Sequence, residues 1–329
     1  MAPSAPARAT PARAEPAGRQ APQHQLVILP RAPFRLDLTA WGLRRRAHNE
    51  IDRWDGRVYR RALPFGDEAM ATSVTQSGSP DSPRLAVTLS GRRIDHAAEV
   101  AARGSLEKLL GLSVDLSPFA TLAAEDGLLG QLALRMRGLK PPRFPTVFEA
   151  LVNGIACQQL SITVGIHLLN RFTSACGRRV PADPHGLHAF PQPTDLASAT
   201  PEELNSMGFS FAKAHTILET AAAILDGDLD LESLEDLDDQ TAIERLTSLH
   251  GIGRWTAEYV LLRGLGRLYV FPGDDVGARN KLKRFFEIER PLDYDGIAEL
   301  LARWHPYAGV VYFHMLLDSL AEAGLVAAG

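Results

Sequence analysis

An α+β fold, a small antiparallel-sheet domain followed by a mostly α-helical domain, is what this sequence predicts, and two observations carry it. Short runs with period-two alternation and intervening turns fill residues 33–110, and beyond about residue 126 apolar positions recur at helical spacing almost without a break. The 329 residues suffice for two domains. Their composition, 45% apolar and 22% charged, is that of a globular chain able to bury a core.

Taken in order, residues 1–24 are mostly Ala, Pro and Arg, too poor in large apolar groups to fold alone, so a disordered tail is expected there. Residues 25–125 form the expected sheet-containing domain. Its extended runs are PFRLDL, GRVYRRAL, AMATSVTQ and RLAVTLS, and its helical stretches are TAWGLRRR and AAEVAARGSLEKLL. A polar segment, residues 117–126, separates it from the helical domain at 126–329.

That second domain reads as a series of helices: FEALVNGIACQQ, SITVGIHLLNRF, PEELNSM, AKAHTILETAAAIL, TAIERLTSLH, RWTAEYVLLRGL, GARNKLKRFF, DGIAELLAR and PYAGVVYFHMLLDSLAEAG. Thr200-Pro201-Glu202-Glu203 supplies an N-cap, an N1 proline and early acids, and His305-Pro306 is read as starting the last helix similarly. The acidic run at residues 226–239 is expected to be a solvated linker or helix face.

A formal charge of -4 excludes a global basic field, so any polyanion would have to be held by a local patch or by oriented backbone groups. Cys157 and Cys176 lie in apolar helical segments without metal-ligand spacing. That favours buried thiols over a disulfide and implies no zinc site or cysteine-held cluster. No apolar run is long enough to cross a bilayer, and the N-terminus lacks the apolar core of a signal peptide. An intracellular, soluble protein without membrane contact is expected.

The chemistry concentrates in LHGIGRWTAEYVLLRGLGRLYVFPGDD, residues 249–275. Two helical patterns flank Gly251-Ile252-Gly253, giving a hairpin near 241–264 whose glycines permit positive φ and leave the tip uncovered by side chains. Tip amides and the positive end of the second helix then suit a phosphate. Alone, the motif also reads as a tight helix connection. Trp255 and Tyr259, at i and i+4, share one face, as core or as pocket wall. A second aromatic pair, Trp304 and Tyr307, flanks the final helix. Asp274 and Asp275 precede a helix carrying Arg279, Lys281, Lys283 and Arg284. An aspartate there is an N-cap by default, and also a carboxylate beside a basic surface.

In this order, LHGIG, RWTAEYVLLRG, VFPGDD and a basic helix, the motifs resemble the helix-hairpin-helix superfamily of base-excision DNA glycosylases. Within it they are most similar to the alkylation-repair branch typified by 3-methyladenine DNA glycosylase II. FEALVNGIACQQLSITV and WHPYAGVVYFHMLL look like two further blocks of that branch. The resemblance implies a glycosylase that everts and hydrolytically excises alkylated purines from damaged duplex DNA, acting as a monomer.

By residue, it implies Asp275 as the catalytic carboxylate, with Asp274 a neighbouring candidate for the same place or for the cap. Trp255, Tyr259 and Trp304 would form the base pocket, and Gly251, Gly253, Arg254 and Thr256 the strand contact. Gln159, or else Leu160, would be the wedge that fills the emptied stack. An alkali cation, Na+ or K+, on the carbonyls of Leu249 and Ile252 is implied at the hairpin, and no organic cofactor. The superfamily's combined glycosylase-lyases carry a lysine where this chain has Trp255, and no lysine lies between Lys213 and Lys281, so no lyase activity is expected. A glycosylase for oxidised or deaminated bases and a non-enzymatic helix-hairpin-helix damage-binding protein remain as alternatives, the latter needing no Asp275.

Overall fold

The computed structural model describes residues 22–181 and 183–327. A five-stranded antiparallel sheet comes first: β1 (Gln23–Ile28), β2 (Arg53–Trp54), β3 (Val58–Phe65), β4 (Glu68–Ser77) and β5 (Arg84–Ser90), in spatial order β1-β5-β4-β3-β2. Alternation sets the register, since Leu85, Val87 and Leu89 of β5 are buried on one face. That face is covered by α1 (Leu36–Arg44) and α2 (His96–Leu110), the latter presenting Ala98, Ala102, Leu106 and Leu109 at helical spacing.

Two expectations for this domain need correction. PFRLDL is not a strand but the entry to α1, because Leu36, Ala40 and Leu43 fall on one helical face against the sheet while Leu38 and Trp41 face the C-terminal core. The missing strand is β1, of which only Leu26 is buried, since an edge strand paired on one side alternates weakly. It starts at Gln23, inside the expected tail. Residues 1–21 of that tail lie outside the described residues.

The helical part continues with α3 (Ser117–Ala124), α4 (Gly127–Arg135), α5 (Val147–Cys157), α6 (Ile162–Cys176), α7 (Pro201–Ser206), α8 (Phe211–Leu225), α9 (Asp239–Thr247), α10 (Arg254–Arg263), α11 (Val276–Phe285), α12 (Tyr294–Leu301) and α13 (Ala308–Glu322). Every residue of α5 is buried, and α10 is buried from Thr256 onward, so these two form the central pair. A Cβ on Gly154 would lie 2.9 Å from the Thr256 methyl, which accounts for a glycine inside α5.

The supposed polar separator is helix α3. Its Phe119 and Ala123 share a core with α4, α11, α12 and α13, so the boundary expected at 125/126 falls inside one packed unit. Buried charge also joins sheet and helices: Arg61 of β3 donates to Asp52 at 2.7 Å and pairs with Glu149 of α5.

The acidic run is fastened rather than free. Leu231 and Leu234 are buried, Glu235 pairs with Arg143 at 2.6 Å, and Asp238 caps α9. Thr200 caps α7 in a capping box with Glu203, as its sequence predicts. The last helix departs from its expectation, beginning only at Ala308, after a short 3-10 turn, Ala302–Trp304. Cys157 and Cys176 are free thiols.

Candidate active site

The hairpin glycines differ in purpose. Gly251 has φ +78°, and a Cβ there would sit 2.5 Å from Thr216 Oγ1. Gly253 has φ −99°, open space around its missing Cβ, and caps α10 without a side chain, so the first amides of that helix stay uncovered. Positive φ is therefore needed at only one of the two. Ile252 is buried between them, and its amide donates to the Leu249 carbonyl at 3.1 Å.

Gln158, at the end of α5, ties the hairpin to the helix behind it. Its Nε2 donates to the Gly251 carbonyl and to Thr256 Oγ1, both at 3.0 Å. Thr256 is 1% exposed with its hydroxyl bonded to Gln158, so, contrary to expectation, it is not available to a strand. Arg254 donates to Asp274 at 2.8 Å and lies 3.9 Å over the Tyr294 ring.

A cleft of about 850 Å3 opens beside this hairpin, walled by the ends of α1 and α5, the starts of α10 and α11, and one face of α13. Asp275 stands at its edge and does two things. Oδ1 accepts the Ala278 amide at 2.8 Å and caps α11, while Oδ2 faces Trp255 and accepts its indole N–H at 3.4 Å. Cap and cleft carboxylate are thus one residue, and Asp274 is the ion-pair partner of Arg254 instead.

Trp255 and Tyr259 stack at 5.6 Å and 30° along the wall. The Tyr259 hydroxyl accepts Arg45 Nη1 at 2.9 Å, and Arg45 Nη2 donates to Asn153 Oδ1 at 2.8 Å. Burial raises the Tyr259 phenol above its ordinary range, against the pull of Arg45 and Arg263, so it stays protonated. Lys281 lines the same cleft, its amine lowered by burial although Asp275 opposes that shift.

The turn between α5 and α6 displays Gln159 and Leu160 at the cleft mouth. Gln159 is exposed with φ +56°, an unusual conformation for a non-glycine, and Leu160 is 43% exposed. Lys213 Nζ holds the turn by donating to the carbonyls of Ala156 and Gln158 at 3.3 and 2.8 Å.

Trp304 does not line this cleft, contrary to expectation. It is 2% exposed in the C-terminal core, stacked on Phe286 at 5.1 Å, with its indole donating to Asp126 at 3.1 Å. The reason is its place on the 3-10 turn before α13, whereas the residues of α13 that reach the cleft are Tyr312, Met315 and Leu316. Their i, i+3, i+4 spacing was the available signal for that face. Arg45 and Arg46, also in the wall, carry no comparable local signal.

Comparison with known proteins sets this geometry in context. The profile described as "HhH-GPD superfamily base excision DNA repair protein" matches residues 152–306. The chain is 31% identical over 204 residues to the DNA-3-methyladenine glycosylase of Bacillus subtilis (strain 168), covering 62% of this chain and 67% of that one. To DNA-3-methyladenine glycosylase 2 of Escherichia coli (strain K12) it is 29% identical over 273 residues, covering 82% and 89%. The solved 3-methyladenine DNA glycosylase from Archaeoglobus fulgidus superposes with a TM-score of 0.79 at 26% identity, over 92% of this chain and 100% of that one.

Proposed function

The chain belongs to the HhH-GPD superfamily of base excision DNA repair proteins, and from that premise we propose that it is a DNA glycosylase hydrolysing the N-glycosidic bond of alkylated purines in duplex DNA. The observation that carries this reading is Asp275, fixed by its cap while its second oxygen faces an aromatic wall in an open cleft. A binding module would need the hairpin but no such carboxylate.

The stack shields the glycosidic bond, so the damaged nucleotide must be everted into the cleft, and Gln159 or Leu160 fills the gap it leaves. The uncovered amides after Gly253 hold a strand phosphate without reading sequence. Trp255 and Tyr259 present π-faces to the everted base, worth about 1–2 kcal/mol to a cationic N-alkylpurine out of water. Asp275 stabilises the oxocarbenium-like sugar and takes the proton of the water that attacks C1′, while the base leaves with the bonding pair. Trp255 stands where the superfamily's lyases carry lysine, so the product is an uncut abasic site. The carbonyls of Leu249 and Ile252 would hold an alkali cation, which suits the residues because the Ile252 carbonyl accepts no hydrogen bond among those described. Bound, it would add positive charge beside the strand.

Incubation with duplexes each carrying one defined lesion, scored for freed base and for breakage with and without alkali, tests the proposal. Release of 3-methyladenine or 7-methylguanine with alkali-dependent breakage is expected. Retardation of the duplex without base release would leave only a binding module.

A further inference from the structure

Glu258 follows Trp255 by three residues on α10 but is buried outside the cleft. Both oxygens of its carboxylate are engaged. Oε2 accepts the buried Gly273 amide at 3.2 Å, and Oε1 accepts the Tyr294 hydroxyl at 2.5 Å. Burial raises the Glu258 carboxyl, and these two hydrogen bonds oppose that shift. Burial and the neighbouring Glu258 push the Tyr294 phenol up to about 12, so its proton stays in place to donate.

Tyr294, the first residue of α12, braces the same turn with its ring. A Cβ on Gly273 would lie 2.6 Å from ring Cδ2, so glycine is what admits this approach. Arg254 covers the other part of the arrangement, its guanidinium 3.9 Å over the ring and 2.8 Å from Asp274. That ion pair is partly exposed and contributes little alone. The Glu258 bonds are buried, so a lost partner leaves a polar group unsatisfied.

We propose that Glu258 and Tyr294 are positioning residues for the hydrolytic step, setting where the Pro272-Gly273-Asp274-Asp275 turn stands against the aromatic wall. This rests on the glycosylase reading above. One helix, α10, carries both Trp255 of the wall and the Glu258 anchor of the turn, so a single rigid element fixes the gap between wall and carboxylate. The α11 cap holds Asp275 from one side, and the Gly273 bond holds the chain two residues before it. Neither Glu258 nor Tyr294 lines the cleft, so both act through Asp275. A shift of about 1 Å in a reacting group costs up to ~100-fold in rate, while the hairpin amides that hold the strand stay where they are.

The test measures the single-turnover rate constant for 7-methylguanine release at saturating protein, and separately the affinity and active fraction by titration with a duplex containing a tetrahydrofuran abasic analogue. A misfolded fraction alters the protein needed for saturation but not the rate constant. Tyr294→Phe removes one oxygen and keeps the ring under Arg254. Its rate constant is expected to fall roughly tenfold, with duplex affinity within about twofold of wild type. Glu258→Leu, which removes both bonds, should fall further, and Glu258→Gln, whose carbonyl still accepts the Gly273 amide, should recover most of the loss. Wild-type rate constants in Tyr294→Phe and Glu258→Leu overturn the proposal and leave the glycosylase reading intact, as does a loss confined to affinity or to the active fraction. Should Glu258→Leu not fold, Tyr294→Phe decides alone. Wild-type protein that releases no base overturns the glycosylase reading, and the positioning role with it.

Discussion

Asp275 and Trp255 meet across the cleft edge, the indole N–H of one donating to the carboxylate Oδ2 of the other at 3.4 Å while Oδ1 remains bound to the α11 amide of Ala278. The cap restrains the carboxylate's rotation, so its second oxygen keeps one direction. A group that must stabilise charge only as it develops gains from such prior orientation.

Replacing Asp275 with Asn separates these duties, because asparagine caps helices as well as aspartate does. Turnover in a single-turnover base-release assay should fall by about a hundredfold or more, with duplex affinity and melting temperature close to wild type. Asp274→Ala, which removes only the partner of Arg254, should leave turnover within severalfold. The reverse order of effects would move the catalytic assignment to Asp274.

Borohydride should trap no covalent adduct between the protein and a duplex containing an abasic site. A Schiff base needs an amine nucleophile, and Trp255 occupies the hairpin position. The amine to watch is Lys281, which lines the cleft and is shifted down by burial. A trapped adduct that Lys281→Ala abolishes would show lyase chemistry from α11.

The two hairpin glycines should respond differently to alanine. Gly251→Ala forces a side chain into positive φ and against Thr216, and should cost ~1–3 kcal/mol in urea denaturation. Gly253→Ala meets open space at an ordinary φ and should cost less than about 1 kcal/mol, while weakening duplex binding measured by anisotropy. Equal destabilisation by both would contradict the division of labour.

Acid should destabilise the protein through His314. Burial holds its imidazole down to about 4, so it is neutral in the fold and takes up a proton only when the chain opens. Below its ordinary value the unfolded state binds more protons, and stability should decline as pH falls from about 6.5 to 4, by ~3 kcal/mol in all from this group. His314→Gln, which keeps a donor for the Val310 carbonyl, should flatten that limb of a stability curve measured between pH 4 and 7. An unaltered slope would place the acid sensitivity elsewhere.

Much of this is legible along the chain because the controlling interactions are local. The hairpin, the pair Trp255 and Tyr259, and the start of α11 follow from glycine conformation, helical period and capping, each settled within a few residues. Two features escape such a reading because local pattern does not separate strand from helix or tail there. PFRLDL alternates as a strand would but is pulled into α1 by two cores at once, and β1 alternates poorly because its outer edge is unpaired.

The α+β class, the helices from α5 onward and the candidate motif can be read along the chain, because helical period and turn chemistry act between near neighbours. Packing across the whole chain chose which aromatics wall the cleft, burying Trp304 against Phe286 in the C-terminal core and leaving Tyr312 on the wall. It also decided that Arg45 reaches Tyr259, 214 positions away. A buried guanidinium must find its acceptors wherever packing delivers them, and no short stretch of chain specifies that meeting.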